Sequence, residues 1–158
     1  MRAVEVFLKQ LDDAYAHAWE SIAVVLTEVD DAEAEWQAPC YRTVEREEGW
    51  PASGTIRWQV AHLAHCKEHY ASILRHRADS ASPPAPARKP FRTFQEEMLA
   101  LKVAHAGQRA ALAEIADEEL GRSVLGKMPL GEFIAMILRH DAWHAGQIAL
   151  ARRLYRER

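Results

Sequence analysis

A chain of 158 residues, 49% hydrophobic and 27% charged, is long enough for one domain with a sizeable core and too short for two comfortable ones. Its formal net charge of −3 leaves no basic excess to neutralise a phosphate backbone, which excludes nucleic acid as a partner. No run approaches the roughly 18 uninterrupted apolar residues of a membrane span, and two cysteines, Cys40 and Cys66, at a spacing that fits no zinc-ribbon or redox motif, point to a cytoplasmic protein.

Met1 leads into an amphipathic helix and not into a signal peptide. Val4, Leu8, Leu11, Tyr15, Ala18, Ile22, Val25 and Val29 alternate steps of four and three, which predicts one helix over residues 2–29. Asp30 and Asp31 then open a polar connection that runs to Gly54 past Pro39, Gly49 and Pro51. Ser53 and Thr55 are both suitable caps for a second helix over 55–77. The four prolines between Asp79 and Pro90 mark a linker between helices. Thr93, with Glu96 three residues on, has capping-box spacing for a third helix over 92–116. Its stripe is Phe94, Met98, Leu101, His105, Gln108, Leu112 and Ile115. After a loop around Gly121–Gly126, Pro129 suits the first turn of a fourth helix over 129–155. Four amphipathic helices in a single domain, residues 1–158, read as an all-α four-helix bundle.

The chemistry lies in the eight histidines. His140 and His144 stand four apart, so their rings lie one above the other on one face of the fourth helix. They interrupt the apolar stripe between Ile137 and Ile148 and should point inward, where two imidazoles can converge on one metal ion. The spacing alone is a weak motif and fits a pair of ordinary interior or surface histidines better. The second helix offers His62, His65, His69 and His76. Its apolar face (Val60, Leu63, Cys66, Tyr70, Ile73, Leu74) covers about 140° of arc, with His62 about 20° outside it. His62 is therefore the histidine placed to reach an inward metal, with His65 next. Lys67 falls within the apolar arc, against the pattern. A di-iron site is excluded because no Glu is followed by His three residues later. A zinc peptidase is disfavoured because Asp141 stands where its Glu base should be.

These residues carry a family resemblance. Trp36-Gln37-Ala38-Pro39, then Thr55-Ile56-Arg57-Trp58-Gln59-Val60-Ala61-His62-Leu63, then His140-Asp141-Ala142-Trp143-His144-Ala145-Gly146-Gln147-Ile148 resemble, over essentially the full chain, the DinB/YfiT-like metalloenzyme superfamily. The resemblance implies an up-down-down-up bundle with a three-histidine metal site, its ligands falling on His62, His140 and His144. It also implies a thiol-dependent transferase or isomerase using bacillithiol, mycothiol or glutathione, and a homodimer. It implies no DNA-binding role.

The leading functional expectation is a metal-dependent S-transferase that joins a low-molecular-weight thiol to a small electrophile. An open position on an ion held by three neutral imidazoles suits a thiol. The same position could hold water and give a hydrolase. A third reading is a non-catalytic ligand-binding bundle, favoured if Cys66 or His65 closes the fourth position. Zn or Ni leads as the metal, with Fe, Mn or Co also compatible. His105, Asp141 and Gln147 are the candidates for acid/base, orienting or substrate-contact roles; Asp141 and Gln147 read equally well as solvated helix residues, and His105 reads more readily as a hydrogen-bonded core histidine. Trp58 and Trp143 read as packing residues, and Cys40 has no identifiable partner.

Overall fold

Two threonines set the central helices. Thr55 Oγ accepts from Trp58 N at 3.0 Å and starts a helix at Ile56. Thr93 Oγ accepts from Glu96 N while the Glu96 carboxylate accepts from Thr93 N, a reciprocal cap that starts another at Phe94. The computed structural model describes residues 2–39, 49–77, 83–84 and 93–158. Among these, the helices are α1 (Ala3–Ala16), α2 (Ile22–Val25), α3 (Asp31–Glu35), α4 (Ile56–His76), α5 (Phe94–Ala113) and α6 (Leu130–Arg156). A 3₁₀ turn (Asp117–Glu119) and a two-residue hairpin, β1 (Ser123–Val124) with β2 (Met128–Pro129), join α5 to α6. The fold is all-α, and among the described residues no helix is long and apolar enough to cross a membrane.

The expected first helix over 2–29 is broken. α1 stops at Ala16, Glu20 takes a left-handed φ of 58°, and Ser21 restarts the chain as the cap of α2. Ser21 Oγ donates to His17 O at 2.7 Å and accepts from Val24 N at 3.3 Å. A serine that satisfies local backbone groups competes with helix continuation, and periodicity does not register that competition. The polar connection after Val29 is partly helical, because Asp30 caps α3 through Glu33 N. Pro129 precedes α6 and does not belong to its first turn. Cys40 and most of the Pro-rich linker lie outside the described residues.

Cross-helix contacts fix the directions. Tyr15 meets His105 and Ala3 N donates to Asp117, just past the end of α5, so α1 and α5 are antiparallel. Lys67 meets Gln108 and Arg77 meets Glu114, so α4 and α5 run the same way. Gln59 meets His144 and Tyr70 meets Phe133, so α4 and α6 are antiparallel. The order is up-down-down-up.

Among the described residues the interior divides into two apolar cores. One gathers Val4, Leu11, Leu74, Leu112, Phe133 and Ile137, and the other Ile22, Val60, Leu63, Leu101, Ala145 and Ile148. Each long helix passes from one core to the other at a polar residue: Tyr15 on α1, Lys67 on α4, His105 and Gln108 on α5, Asp141 on α6. Lys67, Gln108 and Asp141 are fully buried and His105 nearly so. Lys67 Nζ donates to Gln108 Oε1 at 3.0 Å and forms an ion pair with Asp141. The polar layer thus accounts for the lysine inside an apolar arc.

Candidate metal centre

On the α4–α6 side of this layer the histidines converge. The His62 ring centroid lies 4.9 Å from that of His144 and 5.4 Å from that of His140, and the His140 and His144 centroids are 4.5 Å apart. His140 Nε2 and His144 Nε2 are 3.2 Å apart. His62, Cys66 and His140 offer donor atoms all within 4.8 Å of one another, with Cys66 Sγ 3.4 Å from His62 Nε2, a set that can hold a metal ion. That set leaves out His144, whose Nε2 nonetheless lies against Nε2 of His140.

The rings are held from behind. His144 is buried, and its Nδ1 is hydrogen-bonded to Gln59 Oε1, one turn before His62 on α4. A carboxamide oxygen only accepts, so His144 Nδ1 carries the proton and Nε2 presents its lone pair. Trp58 stacks on His62 at 4.8 Å, and Tyr70 meets the His140 ring edge-on at 5.6 Å.

Burial holds all three imidazoles below the usual histidine range, which favours their neutral form. Burial lowers His62 to about 4, helped by the neighbouring His140 and His65. Burial lowers His144 to about 3, helped by His140 and His62. Burial and then the Lys67 charge lower His140. Neutral imidazole is the form that ligates. Burial also pushes the Cys66 thiol up to about 11, against a hydrogen bond from Tyr70.

The donor set fits a divalent ion. Two nitrogens each about 2.05 Å from one tetrahedral ion stand about 3.3 Å apart, close to the separation of His140 and His144. His140 Nδ1 and Gln147 Oε1 are buried with no hydrogen-bond partner among the described residues.

The other sequence candidates fall elsewhere. His65 is half-buried and packs edge-on to Trp50 at 5.7 Å. His76 is exposed, with Nδ1 bonded to Ser72 O. His105 stacks flat on Tyr15 at 3.8 Å, its Nε2 3.9 Å from Asp12, and burial followed by the Lys67 charge lowers it to about 4. Asp141 turns to Lys67 and not to a ligand. Burial pulls Asp141 up and Lys67 down, each opposed by the other's charge. Trp143 is exposed. Gln59 was invisible to periodicity, although its three-residue spacing from His62 on one helix face was a usable signal.

No curated protein and no solved structure matches the chain. One family model does, described as the DinB superfamily, over residues 14–148. That span runs from the end of α1 through α4 and both α6 histidines, and the chain belongs to the DinB superfamily.

Proposed function

We propose that this protein is a metal-dependent enzyme that transfers a low-molecular-weight thiol to small electrophiles, with His62, His140 and His144 holding one divalent ion. The observation that carries the reading is the pair of Nε2 atoms 3.2 Å apart, one with its tautomer set by Gln59, beside the half-buried His62. A divalent ion bound by three neutral imidazoles keeps its full charge and acidifies a thiol or water brought to it.

The chain's own residues supply the rest. Gln59 holds the His144 ring in one orientation. Trp58 covers one face of His62 and Tyr70 packs edge-on against His140. In the transfer, the thiol sulfur bonds to the electrophilic carbon, the leaving group departs with its electron pair, and the thiol proton passes to solvent. Among the described residues the long cationic side chain nearest this layer, Lys67, is committed to Asp141. A non-catalytic binding bundle is the second reading, favoured by the Cys66 sulfur beside His62.

Elemental analysis of protein purified without a nickel column tests the first step, beside His62→Ala and His144→Ala. About one metal per chain, lost in both variants, is expected, followed by turnover of a model aryl halide only when a thiol is added. Turnover without thiol would identify a hydrolase. A wild type that takes up no metal after reloading would sink the enzyme reading.

A further inference from the structure

Cys66 is a donor that the three-histidine reading leaves unused. It stands one turn after His62 on α4, as His144 stands one turn after His140 on α6, so two antiparallel helices each present a pair of donors four residues apart. A cysteine packed only as a small hydrophobe has its sulfur against carbon. Here Sγ lies 3.4 Å from the ring nitrogen of His62, and its distances to the His62 and His140 donors are within 4.8 Å. A nitrogen about 2.05 Å and a sulfur about 2.3 Å from one tetrahedral ion stand about 3.5 Å apart.

Resting on the His62–His140–His144 reading, we propose that Cys66 is a fourth ligand of the same ion and occupies the position a cosubstrate thiol needs. The chain thereby carries its own competitor for the external thiol. As the sulfur–metal bond forms, the Cys66 proton leaves to solvent. When an external thiol displaces it, that thiol releases its proton and the Cys66 thiolate takes one up, so the exchange is neutral in charge and protons. Sulfur affinity is then built into the site, and the three-histidine cluster discriminates in favour of soft cosubstrates over water.

Cobalt(II) loading of the full chain tests this by absorbance. The wild type is expected to show visible ligand-field bands and an intense sulfur-to-cobalt charge-transfer band in the near ultraviolet. Cys66→Ser should lose the charge-transfer band and keep the ligand-field bands and the metal stoichiometry, while Cys40→Ser keeps both. In Cys66→Ala, 2-mercaptoethanol should restore the band. Ligand-field bands without charge transfer in the wild type, or a band that survives in Cys66→Ser, would overturn the role of Cys66 and leave the three-histidine site standing. No cobalt uptake by the wild type would overturn the metal reading itself.

Discussion

Replacing Asp141 by Asn keeps the shape of the polar layer and removes one charge from a pair that no solvent reaches. Lys67 is 0% exposed and Asp141 1%. With no counter-charge, Lys67 must either stay charged in the interior or enter the fold neutral. The second route sets a ceiling: giving up a proton at pH 7 from a reference near 10.4 costs about 4.6 kcal/mol. Removing one partner of a buried pair costs about 3–5 kcal/mol in general, so the two estimates meet. For a domain of this size the loss corresponds to about 6–20 °C in Tm. The sign with pH follows from proton counting. In the wild type the pair binds one proton whether it is ionised or neutral, so it adds no pH dependence near neutrality. On the neutral route the native Lys67 of Asp141→Asn holds none while the unfolded lysine holds one. Stability of the variant relative to wild type should therefore rise by about 1.4 kcal/mol per pH unit from pH 7 to 9. Urea unfolding followed by circular dichroism at three pH values reads both numbers. Lys67→Met/Asp141→Leu removes both charges and should regain part of the loss, short of the roughly 1–3 kcal/mol left by Gln108 Oε1 without its donor. An Asn variant within 1 kcal/mol of wild type at pH 7, or a deficit flat in pH, would refute the reasoning.

Gln59→Leu frees the His144 ring, and competition with a chromophoric chelator should show metal affinity falling by about 10–100-fold, with Gln59→Glu retaining more of it. His105 has its folded value lowered to about 4 from 6.5, chiefly by burial, so the unfolded chain binds the extra proton and stability falls as pH drops through that window. The contribution is about 3 kcal/mol by pH 4, and His105→Phe, which keeps the stack on Tyr15, should make the acid limb of a Tm-against-pH curve shallower by that share, the rest staying with His62 and His144. An unchanged limb would place the titrating group elsewhere.

Much of this arrangement was legible residue by residue. The four-residue spacing of His140 and His144, the phase of His62 and the lysine inside an apolar arc are all statements about one helix at a time. His105 and Gln108 interrupt α5's stripe in the same way. What periodicity could not supply was level: whether the interruptions on separate helices meet depends on helix directions and on where each helix stops. The break at Ser21 shows the same limit. Of the predicted stripe, Ile22 and Val29 still reach a core beyond it, but Ala18 at the break is exposed and Leu26, outside the stripe, is buried, because a local serine cap changes the path. Gln59 was missed because its spacing from His62 places it on the right face of α4 but does not name the partner it meets on α6.

Once the directions are known, the polar layer also explains how the proposed metal ligands keep their aim. His140 and Asp141 are neighbours, so their side chains leave α6 about 100° apart. Lys67 and Cys66 are neighbours on α4 and diverge by the same angle. The Lys67–Asp141 pair therefore joins the two helices on one side, and that fixes the rotation of both about their axes. With the rotation fixed, Cys66 and His62 on α4 and His140 and His144 on α6 are turned toward each other on the other side. A helix free to roll by even 20° would carry a side chain about 6–7 Å from its axis through roughly 2 Å, more than a metal–ligand distance tolerates. The buried ion pair is thus more than a stability feature. Its loss in Asp141→Asn should lower metal affinity even at temperatures where the variant is fully folded, and titrating folded variant and wild type with the same chelator separates the two effects. Equal affinity would confine Asp141 to stability and leave the aim of the histidines to Gln59.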